Sequence, residues 1–241
     1  MRVPETRTLG ALIFDFDHTL TDFGRNVEWP KARAELVALY QATGIDTDIV
    51  VRGRGALSVI AALDAAVAER HSVEHAYATR VEASRILERV EIAGAPRARL
   101  LPGAADVLAE AAAAGLRLAI VSANAESAIR AALTRLGVVD RFTAIIGRDP
   151  CRPLKPEPDQ HREALRLLGC APDAALGIGD STNDVRAAVA AGMLAVGVAG
   201  GESSPEAMLE AGASFVLADL TAAPVLLALW RAAADEAEPA S

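Results

Sequence analysis

Lysine is nearly absent from this chain. Of 24 basic residues, 22 are arginine, and only Lys31 and Lys155 carry an ammonium. A chain that gives almost all its positive charge to arginine yet keeps Lys155 either needs a compact point charge there or retains it by chance. Aromatic residues make up only 4%, too few for the stacking platforms that grip single-stranded nucleic acid. The net charge of −8 and a pI near 5.1 repel phosphate backbones, so no nucleic-acid partner is expected. Two cysteines, Cys151 and Cys170, make neither a disulfide framework nor a zinc site. No apolar run reaches 18 residues, and Met1–Arg7 has no apolar signal-peptide core. The expectation is a soluble cytoplasmic protein with no membrane partner, as a monomer or homodimer.

What is present is a large apolar fraction, 52% of 241 residues and mostly Ala, Val and Leu. That is enough to bury one large domain, or a core domain carrying a smaller insertion. The chain is organised around Asp15-Phe16-Asp17-His18-Thr19-Leu20, which follows the short apolar run Leu9–Phe14. That run has the length of a buried strand. Two carboxylates at the end of such a strand are costly to bury without a cation or several donors. A divalent metal on Asp15, with Asp17 nearby, would supply the compensation. The plainer alternative is a strand end whose Asp and Thr cap a turn or helix.

Residues 22–98 read differently from the rest. Pro30–Tyr40 starts with proline in a helical first turn and is closed by Gly44, while Ala56–Arg70 and Ser72–Val90 are Ala-rich, charged and helix-periodic. No strand is expected there. The pattern predicts an all-helical insertion, left near Asp22–Gly24 and re-entered near Ala93–Arg99. The remainder, 1–21 and 99–241, would form the core domain. From Leu100 onward helices alternate with near-continuous apolar strands: Leu116–Val121, Phe142–Ile146, Ala175–Gly179, Met193–Val198 and Ser214–Leu217. Such alternation predicts an α/β fold with a doubly wound parallel sheet, in which function gathers beyond the carboxyl ends of the strands. The acidic tail Ala232–Ser241 is expected to fray.

Polar residues stand at those strand ends. Asp15 and Asp17 end the first strand and Ser122 the second. Lys155 lies in the loop after the third, and Gly179-Asp180-Ser181-Thr182-Asn183-Asp184 ends the fourth. Each has an ordinary reading: Ser122 or Asn124 as a helix N-cap, Lys155 as a solvated loop residue, Asp180 and Asp184 as acids at a helix start. Together they resemble the four motifs of the haloacid dehalogenase superfamily in its phosphatase branch. The order of the motifs and the helical insertion after the first match as well. The insertion resembles the helical cap of phosphoglycolate phosphatases and β-phosphoglucomutases. His18 departs from the Gly often found there, which leaves the subgroup open.

The resemblance implies a Mg²⁺-dependent phosphatase acting on a small phosphorylated metabolite. Asp15 would be the nucleophile and Asp17 the general acid and base. Asp15, Asp180 and the backbone carbonyl of Asp17 would hold Mg²⁺, with Asp184 bound directly or through water. Ser122 and Lys155 would clamp phosphoryl oxygens, helped by the backbone around Phe16 and Asn124. Thr19 would support the loop after Asp15. In the insertion, Arg52 or Arg54 is expected to meet a substrate carboxylate, hydroxyl or second phosphate, with solvated loop arginines as the alternative. Arg148 is a candidate for orienting the Lys155 loop. His18 and His161 are expected to be structural, and Lys31 a solvated first-turn residue. Asp17 argues against dehalogenation and phosphonate cleavage. A phosphosugar mutase would use the same residues, and a non-catalytic phosphometabolite-binding protein would share the fold.

Overall fold

A computed structural model describes residues 9–47, 56–224 and 227, the side chains of 56–62 excepted. Its centre is a six-stranded sheet, all parallel, in the order β3-β2-β1-β4-β5-β6. The strands are β1 (Ala11–Phe14), β2 (Arg117–Val121), β3 (Ala144–Ile146), β4 (Ala175–Gly179), β5 (Leu194–Val198) and β6 (Phe215–Leu217). This is the doubly wound order, and its switch point falls between β1 and β4. The register sets Phe14 level with both Ile120 and Ile178. Asp15, the first residue past β1, therefore stands level with the last residues of β2 and β4, Val121 and Gly179.

The two faces of the sheet differ in bulk. One presents Leu12, Phe14, Leu118, Ile120, Leu176, Ile178 and Val196, all buried. This face packs on α4 (Ala104–Ala113) and α5 (Glu126–Leu136). The other presents Ala11, Ala119, Ala175 and Ala195 along with Ile13 and Val121. Its small side chains let α6 (Asp159–Leu168), α7 (Thr182–Ala190) and α8 (Pro205–Glu210) approach closely. A methyl placed on Gly177 of β4 would stand 2.6 Å from Ala188 Cβ of α7. With both faces covered, the strands read as near-continuous apolar runs, as parallel strands do.

Between β1 and α4 the chain forms α1 (Trp29–Ala42), α2 (Ala56–Arg70) and α3 (Val73–Gly94), which pack on one another. Tyr40, Leu36, Leu63 and Leu87 are fully buried there. Among the described residues from Asp22 to Arg99 there is no strand. The outgoing and returning linkers are tied together. Asp22 N donates to Arg99 O at 3.0 Å, and Arg99 N donates to Asp22 Oδ1 at 2.7 Å.

Element limits depart from expectation where a local cap or breaker decides them. Helix α3 runs on past Val90 to Gly94 because nothing interrupts it before Gly94-Ala95-Pro96. Helix α7 begins at Thr182, which puts Asp184 in its first turn. There Ser181 is the N-cap and Asp184 the N3 partner of a capping box. Helix α8 was not anticipated, although Ser204-Pro205-Glu206 carries its signal: Ser204 Oγ accepts from Ala207 N at 3.2 Å. The acidic tail Ala232–Ser241 lies outside the described residues. No helix among them is long and apolar enough to cross a membrane.

Candidate active site

The four motif segments converge at the carboxyl end of the sheet. Asp15 follows β1 directly, and its N–H donates to Ile178 O at 2.8 Å, which keeps it flush with β4. Lys155 reaches back from the loop after β3. Its Nζ donates to Asp15 Oδ1 at 2.6 Å and to Val121 O at 3.2 Å, and it is also hydrogen-bonded to Asp184 Oδ1. The ammonium thus bridges two buried carboxylates and a strand-end carbonyl.

Asp180 completes the acidic group. Its Oδ2 accepts from Glu202 N at 2.8 Å and its Oδ1 from Thr19 Oγ1 at 3.4 Å. Thr19 is fully buried, and holds Asp180 from the loop after Asp15. Asp184 Oδ2 accepts from Ser181 N at 3.0 Å and Ser181 Oγ at 2.5 Å. One carboxylate oxygen each from Asp15, Asp180 and Asp184 lies within 4.8 Å of the others.

These carboxylates act on one another. Burial, with Asp184 and Asp180 alongside, pushes the Asp15 carboxyl well above its ordinary range, against the pull of Lys155. Burial and Asp184 push Asp180 up to about 6. For Asp184 burial also pushes upward, but the Lys155 charge and the bonds from Lys155 and Ser181 outweigh it and hold the carboxyl down. Burial pulls the Lys155 ammonium downward, yet Asp15 and Asp184 more than reverse this and raise it. One ammonium among three buried carboxylates leaves excess negative charge. A second, divalent cation with a preference for oxygen ligands fits that donor set.

Asp17 points elsewhere. Its Oδ1 accepts from Gly24 N at 2.7 Å and His18 N at 3.0 Å, and its carboxylate is not in the three-carboxylate group. Burial raises its pKa, opposed by those two bonds. His18 turns the chain with φ +59°, the left-handed region a glycine adopts without strain. Its backbone N–H also donates to Thr21 O at 2.8 Å, and its ring Nε2 stands 3.7 Å from Asp17 Oδ2.

Ser122 and Asn124 cap no helix, since Ala125 is the N-cap of α5. Instead Ser122 Oγ donates to Asn124 Oδ1 at 3.0 Å and accepts from Asn124 N at 3.2 Å. Behind them, Gln160 Nε2 donates to Ser122 O at 3.1 Å and Gly147 O at 3.0 Å. Gln160 was not anticipated, because a glutamine after Pro158-Asp159 reads as a helix residue like any other. His161 is buried. Burial, with the positive charge of Lys155 nearby, pushes its pKa down to about 3. Arg148, expected to orient the Lys155 loop, pairs with Glu91 of α3 at 2.9 Å. Lys31 is exposed. Arg52 and Arg54 lie outside the described residues.

Comparison with known proteins follows the same lines. The family described as haloacid dehalogenase-like hydrolase matches residues 9–192. A phosphoglycolate phosphatase of Rhodospirillum rubrum is 37% identical over 139 residues, 57% of this chain and 58% of that protein. The Escherichia coli K12 phosphoglycolate phosphatase is 36% identical over 109 residues, 45% of this chain and 43% of that protein. The chain thus spans about half the length of the curated relatives it matches. Among solved structures, CbbY from Rhodobacter sphaeroides in complex with phosphate superposes with a TM-score of 0.61 at 25% identity. That match covers 89% of this chain and 96% of CbbY. A family match that takes in every motif segment from Asp15 to Asp184, on a sheet of this order, means that the chain belongs to the haloacid dehalogenase-like hydrolases.

Proposed function

We propose that this protein is a Mg²⁺-dependent phosphatase of small phosphorylated metabolites, of the phosphoglycolate phosphatase type, working through an aspartyl-phosphate on Asp15. The observation that carries the reading is the bridge from Lys155 to Asp15 and Asp184, with Asp180 completing a set of three carboxylates. A buried nucleophilic carboxylate is of little use against a phosphate dianion unless positive charge surrounds both. The names of the phosphoglycolate phosphatases at 36–37% identity support the same chemistry.

Mg²⁺ would be held by the carboxylates of Asp15 and Asp180 and the backbone carbonyl of Asp17, with Asp184 directly or through water. When bound, it neutralises phosphoryl charge in the ground and transition states. A carboxylate oxygen of Asp15 attacks phosphorus in line with the ester oxygen, and the P–O bond to the alcohol breaks. Asp17, whose raised pKa favours the protonated form, gives its proton to the leaving oxygen. It then takes a proton from the water that attacks the aspartyl-phosphate, so that phosphate leaves and both residues return to their starting states. Lys155 and Ser122 hold the phosphoryl oxygens, and Lys155 releases part of its contact with the carboxylates as it does so.

The helices between β1 and α4 would act as a cap over this site, residues 22–98, closing to exclude water and read the rest of the substrate. The paired linkers at Asp22 and Arg99 support a discrete insertion with one hinge. Arg52 and Arg54 are the candidates there for contact with a substrate carboxylate. The reading is of a cytoplasmic enzyme whose partner is a small metabolite.

The test is phosphate release from a panel of small phosphate esters with Mg²⁺, with Asp15→Asn beside the wild type. Turnover of one or two esters, abolished by Asp15→Asn, is expected. No release from any ester by folded wild type would overturn the reading.

A further inference from the structure

Glu91 sits on α3, three residues before that helix ends, and is 0% exposed. A carboxylate so buried must be fully hydrogen-bonded. Arg148 donates to it through both terminal nitrogens, at 3.0 and 2.9 Å. Asn124 Nδ2 adds a bond at 3.1 Å and Ala125 N one at 3.0 Å. Arg148 is itself buried, its side chain 5% exposed. It also donates to Ala123 O at 2.8 Å and, on α3 again, to Ser84 Oγ at 3.1 Å.

This pair therefore joins three segments: α3 of the helical insertion, the Ser122–Ala125 loop after β2, and the start of the loop that runs from Arg148 to Lys155. Stability alone is a poor account of it, since an apolar pair of equal volume holds such a position as well or better. What a forked guanidinium on a carboxylate adds is orientation, because both N–H···O bonds form only in one relative geometry. The geometry it sets is that of the two loops bearing Ser122 and Lys155. Earlier on α3, Arg80 reaches Pro150 O of the second loop at 3.4 Å.

We propose that Glu91 and Arg148 are positioning residues that couple α3 to both loops, so that the placement of Ser122 and Lys155 depends on where the helical insertion stands. Neither touches substrate. The kinetic consequence rests on the phosphatase reading, whereas the coupling of the loops does not.

The experiment uses the full chain with Glu91→Gln, Arg148→Lys and the milder Ser84→Ala, which removes one bond to Arg148. Amide hydrogen exchange is read over residues 121–126 and 147–156. Kinetics with Mg²⁺ are read on the ester that wild type turns over fastest, well below the melting transition. In Glu91→Gln both segments should exchange at least about tenfold faster. Its kcat should fall by at least about tenfold while KM moves by less than about threefold. The Glu91→Gln/Arg148→Lys double variant should lose little more than the worse single one. Faster exchange confined to the end of α3, or unchanged kcat in folded Glu91→Gln, overturns the proposal. If Glu91→Gln does not fold, Ser84→Ala decides by the same two readings, with smaller shifts of the same sign. Wild type that cleaves no ester sinks the phosphatase reading, and the exchange data alone then decide the coupling.

Discussion

Lys155 Nζ stands 2.6 Å from Asp15 Oδ1 while also holding Asp184, so one ammonium keeps two carboxylates from opposite halves of the sheet in a single pocket. Its side chain is only 7% exposed, which leaves little water to take over if it is removed. Lys155→Met is expected to destabilise the metal-free protein by about 3–5 kcal/mol, the cost of stranding buried charge. Added Mg²⁺ should recover part of that in a thermal melt. Phosphate release should fall by about 10²–10³, the usual loss when a donor to developing phosphoryl or oxyanion charge goes. Lys155→Arg should not restore it, because a planar fork does not fit where a compact ammonium meets three acceptors.

His161 gives a pH dependence of stability with a definite sign. Its ordinary pKa is 6.5, and burial pushes it to about 3 in the folded protein. Between those values the unfolded chain binds a proton that the folded chain refuses. Its contribution is therefore fully present above pH 6.5 and is lost as pH falls toward 3. Wild type should lose about 3 kcal/mol more than His161→Leu between pH 7.5 and pH 4, on the scale of 1.36 kcal/mol per unit. Denaturant melts of the two proteins across that range check it. A constant difference would show that His161 titrates alike in the folded and unfolded chains.

Much of this was legible because strand ends speak through single residues. Asp15, Ser122 and Asp180 each end an apolar run, and a parallel sheet brings such ends together without further instruction. Lys155 stood out by its rarity in an arginine-rich chain. Glu91 and Gln160 did not stand out. Glu91 is one of several acids on a charged, helix-periodic segment, and only the path of α3 over the β2 loop turns it inward. Arg148 did stand out as a candidate beside the Lys155 loop, but its partner Glu91 lies 57 residues away in the chain and was not legible. Helix limits followed local chemistry where it was strong, as at Ser181 and Gly94. The orientation of Asp17 away from the other carboxylates follows from Gly24, a residue that reads only as a linker.

Gly201 bears on the proposed metal site. A methyl added there would lie 1.9 Å from Asp180 Oδ2, closer than any real contact, so Gly201→Ala must displace that carboxylate or the strap that bonds it through Glu202 N. Supporting contacts of this kind typically alter metal affinity by about 10- to 100-fold. Gly201→Ala is expected to raise the half-saturating Mg²⁺ concentration into that range, read from the Mg²⁺ dependence of the melting temperature. An unchanged midpoint would remove Asp180 from the metal set.

Gly24 tests the acid role proposed for Asp17 separately from the proposed metal site. A methyl on Gly24 would fall 2.1 Å from Asp17 Oδ2, and Gly24 N donates the 2.7 Å bond that aims the carboxylate. Gly24 occupies the first turn of the linker into the helical insertion, so its backbone path is held by the Asp22–Arg99 pairing and cannot simply swing aside. The side chain of Asp17 must move instead. Because Asp17 contributes no carboxylate to the Asp15–Asp180–Asp184 group, the Mg²⁺ midpoint of Gly24→Ala should match that of wild type. The rate should fall by about 10²–10⁴, the contribution of a placed general acid. The loss should be smallest for esters whose leaving group is already acidic, such as p-nitrophenyl phosphate, which need little protonation to depart. A rate loss equal for good and poor leaving groups would mean that the methyl disturbs Asp15 or Lys155 rather than the proton donor, and would leave Asp17 without the role assigned to it.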